Sequence, residues 1–230
     1  MQTKGAAGAE PTRGQRRKAR TVQAILEAAE RQFLERGYAP TTLEAIADEA
    51  DVAVGSIYFH FAGKDDLFLA VVERAIEQLT AYEDAALAPD LPPREQLMAL
   101  GDAYLRFALE HPRAFHLLAF PHGDIQAKEG AAGERQARID ARADFLITRL
   151  TGIVQRVIDS GARHDIDAER AARFMWGAWN GVILLHLFPV RLRLGDVEIV
   201  AVIAEGRRIL NAGFDALLGL PGDQANEASG

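Results

Sequence analysis

The chain has 230 residues, of which 49% are hydrophobic, so it can form one large domain or two small ones around a substantial core. It contains no cysteine, which excludes disulfides and thiolate metal sites and favours a reducing cytoplasm as its location. The net charge of −7 argues against nucleic-acid binding only if that charge is evenly spread, and no apolar run reaches the roughly 18 residues of a membrane span.

The charge is in fact uneven along the chain. Residues 1–64 carry nine Lys or Arg against eight Asp or Glu, whereas the remaining residues carry 17 against 25. Five of those nine cations lie in RGQRRKAR, residues 13–20. We expect residues 1–14 to be a disordered tail. The basic run is either an arm for a phosphate backbone or a solvated, disordered segment, and charge alone leaves both readings open.

Short helices are predicted in the first third of the chain. Apolar residues recur at helical spacing as far as Arg36, and Gly37 then provides a C-terminal stop. Thr41 and Glu44 fit a capping box in which Thr41 caps the next helix. The first predicted helix ends at Arg36. The second covers residues 43–50, the third covers residues 54–60, and a fourth begins at Lys64.

The remaining two thirds are also predicted to be helical. Prolines and glycines separate the periodic segments, and we find no strand pair and no internal repeat. KEGAAGE, residues 128–134, is predicted to be a loop. Further helices are expected over residues 64–87, 94–110, 114–120, 134–160, 167–188 and 197–218. The predicted fold class is therefore all-α, with about nine helices.

The second and third helices have the form of a helix-turn-helix. Two short helices joined by three residues describe this motif, although many helical bundles contain such corners. The third helix carries Ser56, Tyr58 and His60 but no acid, which suits a surface that faces phosphates. Its apolar neighbours are expected to pack inward: Ile57, Phe59 and Phe61.

TTLEAIADEADVAVGSIYFHFAGKDDL, residues 41–67, resembles the DNA-binding head of the TetR family of bacterial transcriptional repressors. The matching positions keep the family's spacing: Thr41, Thr42, Ile46, Ala47, Val52, Ser56, Tyr58, His60, Phe61, Lys64 and Leu67. YLRFALEHPRAFHLL and WGAWNG are similar to stretches of some C-terminal domains of that family. The resemblance implies that the third helix enters the major groove. The DNA contacts expected on this basis are Thr41, Thr42, Val54, Gly55, Ser56, Tyr58, His60 and Lys64, with Arg16 and Arg17 on the arm.

Two positions depart from the family's usual pattern. Asp51 stands where glycine is common at the turn, and Asp tolerates left-handed backbone geometry at some cost. Ala53 stands where serine commonly caps the third helix, so one cap and one phosphate donor are missing. The phosphate contacts implied by the resemblance are therefore reduced at position 53.

Other kinds of site have weaker support in the sequence. His111, His116 and His122 lie within twelve residues, but they form no i, i+4 pair on one helix, so we expect no metal site. A helical enzyme built on this histidine region is the contrasting hypothesis. We expect no catalytic residues and no cofactor.

An effector pocket in the C-terminal helices is implied by the resemblance. Its candidate lining residues are aromatic side chains and their polar neighbours, although core packing is an equally simple reading of several of them. These candidates are Tyr104, Phe107, His116, Phe120, Trp176, Trp179 and Asn180. We see no buried pair of Arg or Lys in the walls, and therefore expect a mainly apolar or aromatic effector.

The sequence thus predicts a homodimeric, ligand-responsive repressor that is cytoplasmic and binds a palindromic operator. The DNA-binding domain is expected over residues 15–66, the effector-binding and dimerisation domain over 67–220, and a disordered tail over 221–230. The last two helices are expected to form the dimer interface. An activator of the same architecture, or one that responds to a protein partner, is the alternative.

Overall fold

The computed structural model describes residues 12–119, 129–161, 166–188 and 191–218, and over these ranges it contains nine α-helices and no strand. The all-α prediction is confirmed. None of the helices in those ranges has an apolar stretch long enough to cross a bilayer. The helices are α1 (Arg13–Arg36), α2 (Leu43–Glu49), α3 (Val54–His60), α4 (Lys64–Ala86), α5 (Pro93–Glu110), α6 (Pro112–Ala119), α7 (Gly130–Asp159), α8 (Ala168–Leu187) and α9 (Asp196–Leu218).

The helices belong to two compact units. Unit 1 comprises Met1–Glu73 and His122–Gln136, and unit 2 comprises Arg74–Pro121 and Ala137–Gly230. Both α4 and α7 begin in unit 1 and continue into unit 2. The domain limits drawn from the sequence stay predictions.

Unit 1 is built around one apolar face from each of its first helices. Ile25 of α1, Ile46 of α2 and Ile57 of α3 are all fully buried. Phe33 meets Phe68 of α4 edge to face, with ring centroids 5.1 Å apart. These contacts hold two seven-residue helices that are too short to be stable alone in water.

The basic run is helical, which corrects the expectation that the ordered part of the chain begins at residue 15. α1 begins at Arg13, and its N-cap is Thr12. The Thr12 hydroxyl accepts a hydrogen bond from the backbone of Gln15, and the Gln15 side chain accepts one from the backbone of Thr12. This capping box satisfies two backbone donors at a helix start nine residues before Val22, the first residue of the apolar pattern. Of the two readings of RGQRRKAR, the disordered tail is wrong.

The prediction that Thr41 caps α2 is also wrong. Thr42 is the N-cap, and its hydroxyl accepts a hydrogen bond from Ala45 N at 3.2 Å. Thr41 is only 1% exposed, and its hydroxyl donates to the backbone oxygens of Gly37 and Gln32. Thr41 therefore fixes the connection between α1 and α2 from the inside.

Phe59 is the third correction in unit 1. Ile57 and Phe61 are buried as predicted, but Phe59 is 76% exposed. Residues 57 and 61 lie four apart and share one face of the helix, whereas a residue two positions along points away from that face. The expectation that Ile57, Phe59 and Phe61 all pack inward is therefore wrong for Phe59.

Unit 2 contains two apolar clusters. One surrounds Phe107 and Phe115 and joins α4, α5, α6, α8 and α9. The other surrounds Val154 and Ala172 and joins α5, α7, α8 and α9. Phe214 of α9 is buried in the second cluster, so it is a core residue of the single chain.

The N-terminal part of α7 begins earlier than predicted. Gly130–Glu134 is helical although its glycines indicated a loop. Arg135 places Nε 2.8 Å from Asp66 Oδ1 and also pairs with Glu73, both on α4 within unit 1. These tertiary ion pairs hold the first turns of α7 where local propensity alone would not.

Candidate nucleic-acid interface and effector cavity

The turn between α2 and α3 has the backbone geometry of a tight helix-turn-helix. Asp51 has a φ of 54°, the only positive value for a non-glycine residue in the described ranges. Val52 N donates to Ala47 O at 3.0 Å, which closes the turn. The left-handed conformation inferred for Asp51 is therefore present, at the cost that a side chain brings to this region.

The start of α3 lacks a side-chain cap, as the sequence indicated. Ala53 is the N-cap residue, with extended backbone and no capping hydrogen bond. Its methyl group is exposed, so the first backbone N–H groups of α3 are not covered by a polar side chain. Free N–H groups at a helix start are available to an anion.

The outward surface of α3 combines small, polar and aromatic residues without an acid. Gly55 is exposed, and a Cβ added there would meet nothing within 4 Å. Val54, Ser56 and His60 are partly exposed, and Tyr58 is 59% exposed. This surface can approach a groove closely and offers hydroxyl and imidazole donors along one edge.

Two further positions extend this surface. Thr42 is exposed at the start of α2. Lys64 Nζ donates to Ala39 O at 3.0 Å and lies 4.4 Å from the centroid of the Tyr38 ring. The Lys64 ammonium is thus held at the α1–α2 connection while two of its three donors remain for another partner.

The first turns of α1 bring basic residues toward α3. Arg16 and Arg17 are exposed, and Lys18 Nζ lies 5.7 Å from the centroid of the Phe59 ring. The pKa of His60 is lowered, first by burial and then by the positive charge of Lys18. Sequence reasoning missed Lys18 and Phe59 as parts of this surface. The signal for Lys18 was its place within the basic run, but only the packing of α1 against the other helices brings it to α3.

An ion pair fixes α2 against α1 behind this surface. Arg31 Nε lies 2.5 Å from Glu49 Oε1, and Gln32 Nε2 donates to the other oxygen at 2.5 Å. The hydrogen bond from Arg31 is the main cause that lowers the pKa of Glu49, and the hydrogen bond from Gln32 adds to it. The carboxylate therefore stabilises the folded head while it is ionised.

A cavity of about 480 Å³ lies within unit 2, and its wall is formed mainly by α4, α5, α7 and α8, with one residue each from α6 and α9. Most of its wall is aliphatic, from side chains such as Leu79, Leu100, Ile147 and Leu150. Its volume falls in the range of pockets that bind drug-sized molecules.

Three of the predicted pocket residues line this cavity: Tyr104, Trp176 and Trp179. Asn180 lies beside it, because its Oδ1 accepts a hydrogen bond from the Tyr104 hydroxyl at 2.9 Å. Burial raises the pKa of Tyr104, so this hydroxyl stays neutral and remains a donor.

Two predicted pocket residues lie elsewhere. Phe107 is fully buried in the core, and His116 packs against the ring of Phe188 with centroids 5.0 Å apart. Neither belongs to the lining of this cavity, and their part in effector binding stays a prediction. Phe120 lies outside the described residues.

Charged residues reach the cavity wall, although neither of its two arginines is buried, so the expectation of no buried Arg or Lys pair is not contradicted. Arg173 and Arg207 line it together with Glu83 and Asp144. Glu83 is buried, which raises its pKa, and a hydrogen bond from Arg149 opposes that effect. The cations were missed because they become neighbours of the pocket only through the packing of α8 and α9.

The histidines do not form a metal site in the part of the chain that the structure describes, where no group of three His, Asp or Glu residues could hold a metal ion. His111 Nε2 lies 3.0 Å from the Tyr82 hydroxyl, which accounts for its position. His122 lies outside the described residues.

Comparison with known proteins matches two segments of the chain to known protein families. Residues 25–71 match the bacterial regulatory proteins of the tetR family, and residues 97–206 match the tetracyclin repressor-like C-terminal domain. The chain is 32% identical to the HTH-type transcriptional regulator TtgR of Pseudomonas putida, over 76% of this chain and 84% of TtgR.

Two other relatives have more specific names. The HTH-type transcriptional activator FasR of Mycolicibacterium smegmatis is 33% identical over 56% of this chain, and the match spans only 59% of FasR. The solved structure of the ketosteroid transcriptional regulator KstR2 of Mycobacterium tuberculosis superposes with a TM-score of 0.63 at 25% identity, covering 91% of this chain and 98% of KstR2. These relatives are regulators rather than enzymes. The chain therefore belongs to the TetR family and is a helix-turn-helix, DNA-binding transcriptional regulator.

Proposed function

We propose that this regulator is a homodimeric repressor that binds a palindromic operator and is released by a small, largely apolar effector. The observation that carries the proposal is an acid-free, exposed α3 surface beside basic turns of α1, in a chain that also encloses a cavity of about 480 Å³. The α3 surface would read DNA, and the cavity would bind the effector. The absence of cysteine favours a cytoplasmic setting for it.

The DNA contacts divide by chemistry. Val54, Gly55 and Ser56, in the first turn of α3, face the base edges, where the Val54 methyl groups suit a thymine methyl. The remaining donors hold phosphates and set the position of the head without reading sequence. They are Thr42, Tyr58, His60, Lys64, Arg16 and Arg17. The buried Thr41 side chain is not among them.

Dimerisation is supported by apolar side chains that the single chain leaves in solvent. Phe174 on α8 and Val197 and Val200 on α9 are all exposed. Gly177 and Gly181 lie near Phe174 on α8, and a Cβ added to either would meet nothing within 4 Å. A second copy that covers this surface would bury it symmetrically, and a two-fold dimer reads a palindrome.

Effector action follows from differential binding. An effector that fills the cavity stabilises whichever conformation of the dimer has the better-formed pocket. If that conformation binds the operator less well, DNA affinity falls as the effector binds. KstR2 is named as a ketosteroid transcriptional regulator, which supports a largely apolar effector here.

The alternative is an activator with the same dimer and cavity, or one that responds to a protein partner. The name of FasR favours the first of these. Transcription in vitro from a template that carries the operator separates them, because a repressor lowers and an activator raises transcript yield.

Selection of random duplexes on the purified protein tests the DNA-binding part of the proposal. We expect an inverted repeat to be enriched. Lys64→Ala should weaken binding to every duplex by a similar factor, whereas Ser56→Ala should change the preferred bases. A non-palindromic product, or a change of base preference with Lys64→Ala at unchanged affinity, would contradict the assignment.

A further inference from the structure

Glu83 of α4 contributes a carboxylate to the cavity. The residue is only 8% exposed, and it lines the cavity together with Tyr104. The pKa of Tyr104 is raised mainly by burial, and the negative charge of Glu83 raises it further. The Glu83 carboxylate therefore lies near the Tyr104 hydroxyl, which belongs to a residue of the same wall.

The protein uses only one oxygen of this carboxylate. Glu83 Oε2 accepts a hydrogen bond from Arg149. Among the described residues Oε1 has no donor, and it keeps accessible surface, unlike the fully enclosed Nε1 of Trp179. An ionised carboxylate can accept about four hydrogen bonds, so Oε1 can take a donor from a molecule in the cavity.

Arg149 does not fully neutralise Glu83. Its guanidinium also pairs with Asp84, so two carboxylates share one positive charge. The side chain of Glu83 is 10% exposed and that of Asp84 is 59% exposed, so solvent screens Asp84 more than Glu83. A positive charge inside the cavity would therefore be attracted to Glu83 more strongly than to an acid in water.

The other charged residues of the wall leave a further surplus of acid. Asp144 lines the cavity and forms no ion pair with another described residue. Arg173 Nη2 lies 2.7 Å from Glu169 Oε1. Arg207 pairs with Asp102. Because both arginines already have an acid beside them, the wall favours a positively charged ligand over an anion.

Aromatic side chains of the wall favour the same charge. Tyr104, Trp176 and Trp179 all line the cavity. The face of such a ring attracts a cation that lies within about 6 Å of its centroid. An uncharged alcohol could donate to Glu83 but would gain little from the rings, whereas a protonated amine can use both.

We propose that the effector is a largely apolar cation whose protonated amine donates a hydrogen bond to Glu83 Oε1. This inference rests on the proposed role of the cavity as the effector site. It assigns Glu83 as the residue that recognises the charge of the effector. It also ranks carboxylates and hydrocarbons below amines of similar shape as ligands.

The test uses three probes that share one ring system: 2-(aminomethyl)naphthalene, which is protonated near neutral pH, uncharged 2-ethylnaphthalene, and the anion 2-naphthoate. Equilibrium dialysis gives the dissociation constant of each probe without relying on tryptophan fluorescence. The unmodified protein should bind the amine roughly tenfold more tightly than 2-naphthoate, because Glu83 attracts the first and repels the second.

Variants then assign the preference to Glu83. For each protein the dissociation constant of the amine is divided by that of 2-ethylnaphthalene. Glu83→Gln keeps an acceptor oxygen for Arg149 but removes the charge, so this ratio should rise roughly tenfold. Asp84→Asn is the matched control, because Asp84 pairs with the same arginine but does not line the cavity. It should leave the ratio within about twofold of the unmodified protein.

Equal ratios for Glu83→Gln and Asp84→Asn would overturn the subsite. Tighter binding of 2-naphthoate than of the amine to the unmodified protein would also overturn it, and that comparison needs no variant to fold. The same holds if the amine fails to bind up to its solubility limit. The effect of the amine on operator affinity reports separately on the proposed function. An amine that binds in a Glu83-dependent way without changing operator affinity would overturn the effector role of the cavity and leave the subsite standing.

Discussion

Restoring the missing cap of α3 is a direct test of how the recognition helix is stabilised. Ala53 has φ −67° and ψ 143°, the extended geometry that an N-cap residue adopts, and its side chain is exposed. Ser56 N already donates to Ala53 O at 2.8 Å. A serine hydroxyl at position 53 would therefore accept its hydrogen bond from Gly55 N. Ala53→Ser therefore adds a cap without moving the backbone.

The expected gain is about 1 kcal/mol, because a serine N-cap is worth roughly 0.5–2 kcal/mol over alanine. For a chain of this size that corresponds to about 2–4 °C in the unfolding midpoint. Ala141→Ser is the control. Ala141 is exposed in the middle of α7, where serine only lowers helix propensity, so this variant should lose a few tenths of a kcal/mol.

Thermal unfolding followed by circular dichroism gives both midpoints, and hydrogen exchange at the α3 amides locates the change. Protection should rise in α3 and not in α8. If the added hydroxyl also contacts a phosphate, affinity should rise by a similar factor for all duplexes. An Ala53→Ser protein no more stable than Ala141→Ser would refute the cap argument.

Three further changes test other parts of the structure. Asp51→Gly should raise the free energy of unfolding in urea by about 0.5–1 kcal/mol, because glycine occupies the left-handed region without the penalty of a Cβ; a loss of stability would show that the Asp side chain contributes contacts of its own. Glu49→Gln should flatten the decline of stability between about pH 5 and pH 3, since the lowered pKa of Glu49 means that its contribution is complete above the ordinary carboxyl pKa and is lost as pH falls; an unchanged acid limb in urea titrations would contradict this. Val200→Glu should give a folded chain with the light-scattering mass of one copy and no operator binding, because the exposed Val200 is proposed to lie in the interface, whereas Phe214→Glu should unfold the protein from its core; a dimeric Val200→Glu protein would place the interface elsewhere.

Periodicity and local chemistry predicted most helices to within a few residues. α3 was predicted with the bounds that the structure has, because Ala62 and Gly63 stop it and its apolar residues anchor it. The left-handed Asp51 and the absent cap at Ala53 were also evident, since both follow from the residue type at one position of a turn. The error at the start of α7 arose because the deciding partners lie outside the local pattern. Arg135, whose partners are 62 and 69 positions away in the sequence, is the clearest case.

By itself the sequence determined the fold class, the helix-turn-helix and the family, because these depend on residue types at short, fixed spacings. Only the tertiary structure decided which side chains face a given space. It turned Phe59 outward, since a helix has one face for the core and a linear pattern does not say which, and it turned Thr41 inward in the connection before α2. It also placed Trp179, but not Phe107, in the wall of the cavity. A cavity is volume that packed helices fail to fill, so it belongs to no segment of the sequence and exists only when residues distant in the chain enclose it.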